Sequence, residues 1–266
     1  MKQSLPTRRD FVGKIAAASL FGAMAGNALP ARSSSQQEGA DANPKNVLFV
    51  YGGYEGHEPK KCAEIFIPWL REQKFNLTVS TSLDSYLDAA LMQSLDLIIE
   101  TWTMGAITEP QVKALLETVK NGAGLAGWHG GLVGSFLDNF EYNFMTGGRF
   151  AAHPGGIIDY EVNIKDHQDP VTAGLGDFKM HSEQYYLLVD PHVKVLATTT
   201  FSGAARSWIE GCVMPSVWKK MYGKGRVFYS AFGHVAKDFD VPEVLEITKR
   251  GILWASESKR ASQIEG

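Results

Sequence analysis

The chain has 266 residues, a formal net charge of -3 and 44% hydrophobic residues, enough to bury one sizeable core without requiring a second domain. Lys2, Arg8, Arg9 and Lys14 stand against Asp10 in the first thirty-one residues, so the remainder of the chain is more acidic still. A mildly acidic chain without a basic run gives no electrostatic reason to bind nucleic acid or anionic lipid.

Thr7-Arg8-Arg9-Asp10-Phe11-Val12-Gly13-Lys14 followed by the Ala-, Leu- and Gly-rich run Ile15 to Leu29 reads as a twin-arginine export signal over residues 1–31. Cleavage is expected among Ala25, Ala28 and Ala31, and the destination is the periplasm or outside. The run is too weakly apolar to read as a membrane span, so the mature chain is expected to have none, with an uncleaved anchor as the alternative. Residues 32–45 are rich in Ser, Gln and charge and read as a disordered linker. A domain over 46–258 and a tail over 259–266 complete the expected organisation.

Asn46 to Tyr51 has the pattern of a strand buried on both faces, stopped by Gly52-Gly53. Cys62, Ile65, Phe66, Trp69 and Leu70 recur at helical spacing, but Pro68 lacks the amide a helix interior needs, so that helix is expected to kink or start late. Phe75 to Ser80 reads as a second strand, Asp84 to Ser94 as a helix, and Asp96 to Glu100 as a third strand ending at Thr101-Trp102. Thr108 and Gln111 form a capping pattern with Pro110 in the first turn, predicting a helix to about Lys120. Gly124 to Gly127 is the next short strand. This alternation predicts an α/β fold: an open, mostly parallel sheet flanked by helices.

Beyond Phe144 the pattern turns to extended pieces at Ile158 to Ile164, Tyr185 to Val189, Val193 to Thr200 and Val213 to Lys219. Met221 to Gly225 reads as a hairpin turn returning into Arg226 to Phe232, giving an antiparallel extension of the sheet in the C-terminal half. Val241 to Ser256 closes as an amphipathic helix. Cys62 and Cys212 have neither redox-motif nor zinc-ligand spacing and read as two buried small residues, although an exported protein permits a disulfide.

The most informative segment is Gly127-Trp128-His129-Gly130-Gly131. It predicts a sharp strand-to-helix turn like a nucleophile elbow, with His129 where such elbows carry Ser or Cys. Ligands of open α/β sheets bind outside the carboxyl ends of the strands. That places His57, Trp102, His129 and His234 at strand ends, with His153 and Glu183 on loops able to close over the same crevice. His167 and His192 read as solvated turn residues. His129 and Glu183 make a proton-transfer pair, His129 as base and Glu183 as acid or orienting partner. Equally, His57, His153 and His234 suggest a site for zinc or another divalent metal, although no two histidines have the i, i+4 spacing that would make that reading strong. Trp102 and Trp128 are either core aromatics or rings on which a sugar face stacks.

These pieces together resemble the ThuA-like, or trehalose utilisation, family, whose fold is akin to class I glutamine amidotransferases. The matching residues are Gly52, Gly53 and His57, the Gly127 to Gly131 turn, Gly147-Gly148-Arg149-Phe150 leading to His153-Pro154, and Asp169 to Leu175. Glu183 with Tyr185, Tyr222 to Tyr229, Gly233-His234 and Gly251 to Ala255 complete the match. The chain departs from the family at Asp169-Pro170, where His-Pro is usual, and at Ser182-Glu183, where Asp-Glu is common, so those loops are open to a different ligand. With His129 at the amidotransferase cysteine position, thiolate glutaminase chemistry is not expected. The resemblance implies a sugar or keto-glycoside as the small-molecule partner, with Trp102, Trp128, Arg149 and Tyr185 binding it. A non-catalytic carbohydrate-binding or accessory protein is the alternative; a flavodoxin-like electron carrier is a third reading, weakened by the lack of a phosphate loop. Oligomeric state is left open, a homo-oligomer included.

Overall fold

The structure, a computed structural model, describes residues 44–259; the export signal, most of the linker and the end of the tail expected from the sequence lie outside them. In chain order the elements are β1 (Asn46–Gly53), α1 (Pro59–Glu72), β2 (Asn76–Ser80), α2 (Ala89–Ser94), β3 (Leu97–Thr103), α3 (Glu109–Lys120), β4 (Gly124–Trp128), α4 (Gly130–Val133) and α5 (Phe140–Thr146). They continue as β5 (Gly148–Ala152), β6 (Ile157–Ile164), β7 (Phe178–Glu183), β8 (Tyr186–Val189), β9 (Lys194–Thr200), β10 (Val213–Tyr222), β11 (Gly225–Ser230) and α6 (Pro242–Ser256).

A nine-stranded sheet runs β2-β1-β3-β4-β11-β10-β9-β6-β7, and β5 pairs with β8 as a separate two-stranded ribbon. The five strands from β2 to β11 are mutually parallel. From β11 outward every pairing is antiparallel, beginning with the β10–β11 hairpin. Alternation along β1 sends Val47 and Phe49 to one face and Leu48 and Val50 to the other. The first face packs against α1 and α6 through Phe66, Leu70, Ile247 and Ile252. The second packs against α3, α4 and α5 through Leu115, Leu132 and Tyr142. Gly251 of α6 lies so close to the sheet that a Cβ there would be 2.2 Å from the Phe228 ring.

Several elements differ from the sequence expectation. Helix α1 begins directly after Glu58, at Pro59, and continues through Pro68. Pro68 and Glu64, whose carbonyl loses its helical partner, are both exposed, so water can satisfy that oxygen. The helix expected over Asp84 to Ser94 is two pieces, a 3-10 turn at Leu83–Leu87 and then α2, because Asp88 leaves helical geometry and caps the Leu91 amide. Strand β3 runs on to Thr103, so Trp102 lies within it rather than beyond it. Glu183, expected on a loop, lies at the end of β7, whereas His153 lies on the loop after β5 as expected. The cysteines are free thiols, Cys62 buried and Cys212 partly exposed. No helix among the described residues is long and apolar enough to cross a membrane.

Candidate functional site

The parallel strands have the order of a sheet whose topological switch lies between its first and third strands, where α/β folds place their ligand crevice. His57 follows β1 in the short turn Glu55–His57, and Thr103 ends β3 opposite Gly53. His129 follows β4, His234 follows β11, and Glu183 arrives from the far edge of the sheet on β7.

The elbow geometry expected at His129 is present. Its φ of 51° and ψ of -141° are rare for a residue with a side chain, a conformation costing about 1–3 kcal/mol. Its amide donates to the Ser230 carbonyl at 2.7 Å, tying the turn to β11. The flanking glycines are needed for space. A Cβ on Gly130 would stand 2.8 Å from His57 Cε1, and one on Gly131 2.6 Å from Thr101 Cα.

Three imidazoles converge there, with ring centroids 4.7 Å apart for His57 and His129, 5.0 Å for His57 and His234, and 5.1 Å for His129 and His234. Each has one nitrogen available to the centre. His57 Nδ1 is 3.0 Å from the Thr103 hydroxyl, and His129 Nδ1 is 2.9 Å from the Tyr185 hydroxyl. His129 Nε2 and His234 Nδ1 are buried without a hydrogen-bond partner, and each stands 3.4 Å from Glu183 Oε2. One donor atom from each of His57, His129, His234 and Glu183 lies within 4.8 Å of every other. Tetrahedral bonds of about 2.0–2.1 Å to a cation put neighbouring ligand atoms about 3.4 Å apart, so the two measured separations suit a shared ion. Thr103 and Tyr185 occupy the outer positions that orient metal-binding imidazoles.

The local fields at His57 and His129 suit the same donor set, because ligating imidazoles must be neutral. Burial, and then the nearby His234, lowers the His57 pKa to about 4. Burial, reinforced by His57 and His234, holds His129 well below its ordinary value. Burial alone would raise the Glu183 carboxyl, but His234, His153 and His57 outweigh it and keep it below the usual range, a carboxylate rather than a proton donor. His234 goes the other way: burial would lower it, and the Glu183 carboxylate raises it.

His153 stands apart from the four. Its Nε2 is 3.7 Å from Glu183 Oε1 and its side chain is 43% exposed, at the mouth, with its ring stacked on Phe150. Tyr185 is buried against His129, with ring centroids 4.1 Å apart, which makes it a support for that imidazole rather than a ring open to a ligand. The other expected binding residues are not at the cluster. Trp102 alternates with Thr101 and Thr103 along β3, so its ring lies on the opposite face, over Gly52. Trp128 is a core aromatic, 3% exposed and packed on Phe66 and Phe239. Arg149 lines a hollow of about 490 Å³ with Phe140, Phe144 and Leu188, none of which belongs to the cluster. A hollow of about 530 Å³ between α2 and α3 is likewise separate.

Behind the imidazoles lies a cavity of about 10 Å³ lined by His57, Cys62, Thr101, Thr103 and His129, the size of one water. A larger ligand must therefore approach from the mouth, where Tyr54 is 50% exposed with its ring 5.2 Å from that of His57. The Cys62 thiol borders that cavity, and burial, then Glu58 and Asp238, push it up to about 12, so it supplies no thiolate.

Sequence reading missed the residues that hold the cluster. Asp238 Oδ2 accepts from the His234 amide at 2.9 Å, the Gly233 amide at 3.3 Å and the Ser182 hydroxyl at 2.7 Å. Ser182, at one family departure, therefore anchors the His234 loop. Asp169, at the other, accepts from Lys219 at 2.6 Å and Lys194 at 2.8 Å and holds a turn away from the imidazoles. The spacing of Asp238, four residues after His234, was an available signal.

No curated protein matches the chain. Among solved structures it is similar to a ThuA-like protein from Bacteroides uniformis ATCC 8492, with 19% identity, a TM-score of 0.65 and coverage of 82% of this chain and 95% of that one. A ThuA-like protein from Parabacteroides merdae ATCC 43184 matches at 18% identity and a TM-score of 0.64, over 80% of this chain and 90% of that one. A β-galactosidase from Bacillus circulans sp. alkalophilus matches at 15% identity and a TM-score of 0.51, over 82% of this chain but 31% of that one. At these identities the likenesses speak for the fold. The sequence profile of the ThuA family, described as trehalose utilisation, matches residues 46–255, and the chain belongs to that family.

Proposed function

We propose that this protein is an exported enzyme acting on a sugar or keto-glycoside, with His57, His129, His234 and Glu183 holding a divalent metal. One observation carries the reading: His129 Nε2 and His234 Nδ1 are buried with no well-directed hydrogen bond, both 3.4 Å from the same carboxylate oxygen. Buried polar atoms left unpaired cost about 1–3 kcal/mol each, and a cation is the partner this donor set suits. The family description supports a sugar ligand, and the paired arginines at Arg8-Arg9 support export.

A bound cation would supply Lewis-acid polarisation of a substrate oxygen. The chain's own groups do the rest. Thr103 and Tyr185 fix the orientation of their imidazoles, and Asp238 fixes the His234 loop. His153, exposed and beside Glu183 Oε1, is placed to move a proton between substrate and solvent, the acid–base role that sequence reading divided between His129 and Glu183. Tyr54, rather than Trp102 or Trp128, offers the ring on which a sugar face can stack.

The test is a screen of oxidised and unoxidised disaccharides against the purified protein with and without chelator. Turnover that is lost with chelator and restored by added metal is expected. Turnover indifferent to chelator would remove the metal, and sugar binding without product would favour a carbohydrate-binding role.

A further inference from the structure

On the opposite face of β3 from Thr101 and Thr103, Glu100 is buried completely, and no cation pairs with it among the described residues. Tyr86, from the turn at Leu83–Leu87, places its hydroxyl 2.6 Å from Oε2. Tyr142, from α5, places its hydroxyl 2.5 Å from Oε1 and also 3.0 Å from the Leu132 carbonyl of α4, the helix that His129 opens. Ser135 is adjacent but donates its proton to the Trp102 carbonyl. None of these neighbours carries a charge.

The phenol of Tyr142 has one proton and two oxygens within reach. The Leu132 carbonyl can only accept. If Tyr142 donates to it, Oε1 must carry a proton and donate to Tyr142, while Tyr86 donates to Oε2. Three donors then meet three acceptors and every polar atom is satisfied. A carboxylate would instead draw both phenol protons and deprive Leu132 of its donor, while leaving a buried charge without a counter-ion, the costlier arrangement.

We infer that Glu100 stands in the folded protein as a neutral carboxylic acid that donates to Tyr142, and that this relay is a positioning device fastening the elbow helix α4 to β3. Burial pushes the carboxyl up to about 7 against the lowering effect of hydrogen bonding to Tyr142 and Tyr86. The relay does not depend on any metal at the imidazoles.

Infrared difference spectra of wild type against Glu100→Gln test it directly. At about pH 6, where ordinary carboxyls are ionised, wild type is expected to show a protonated carboxyl band that Glu100→Gln lacks and that titrates away on raising the pH. A carboxylate difference band at that pH in folded protein would overturn it. Amide exchange over residues 130–136 tests the positioning role. Gln keeps a donor at every pH, so the variant is expected to match wild type at about pH 6 and to exchange at least about threefold more slowly at about pH 9, with α6 unchanged. Equal exchange at both pH values would refute the relay. Glu100→Ala is expected to speed exchange there at least about tenfold; if it fails to fold, the Gln comparison decides.

Discussion

The two faces of β3 carry two buried polar clusters with opposite accounts of their hydrogen bonds. Around Glu100 every donor finds an acceptor within the protein, and the cluster fastens α4 and α5 to the sheet. Around Thr103, three residues away on the other face, imidazole nitrogens remain buried and unpaired beside a carboxylate. A satisfied buried network is structure; an unsatisfied one at the ligand end of a parallel sheet is the place to look for a bound partner. Both clusters bear on the same elbow, Glu100 through Leu132 and Thr103 through His57.

That contrast can be broken first at Glu183. Glu183→Gln is expected to weaken divalent-ion binding at least about a hundredfold by calorimetry while leaving the fold intact, since it removes a ligand charge. Thr103→Val and Tyr185→Phe, which leave the ligands in place, are expected to cost about 10–100-fold in the same measurement. If these outer changes had no effect, the two hydroxyls would be packing groups only.

The Glu100 side sharpens the contrast through pH. A carboxyl raised from 4.5 to about 7 by folding binds more protons in the native than in the unfolded state between those values. Its contribution to stability is therefore fully present below about pH 4.5 and is lost as the pH rises through about 7. Denaturant titrations should show Glu100→Gln losing less stability than wild type across that window. The smallest effect is expected at Arg149, away from the imidazoles. Arg149→Ala should leave ion affinity within about twofold of wild type, whereas a large loss would return it to the site.

Much of the parallel half was legible because its strands are buried on both faces and its helices carry their own signals. Thr108 and Gln111, for example, form the reciprocal cap read from the sequence, with the Thr108 amide donating to Gln111 Oε1 at 2.9 Å. The His129 elbow was legible because glycines flank a side chain after an apolar strand. Strands β5 and β7 were not, lying in the separate ribbon and at the edge of the sheet, although Phe178, Met180 and Ser182 do alternate inward against exposed Lys179 and His181. Trp102 was misplaced because β3 extends past Thr101, and a shift of one residue changes which face a side chain takes. Trp128 illustrates the opposite limit: its position in the chain was right, and only the packing of Phe49, Phe66 and Phe239 around it shows that it belongs to the core.

Elemental analysis of the purified protein, wild type beside His129→Ala and His234→Ala, tests the central claim most directly. The account predicts about one divalent ion per chain in wild type and less than about a tenth of that in either variant. Wild-type protein that takes up no ion even when incubated with zinc, manganese or iron(II), or variants that hold as much as wild type, would contradict it.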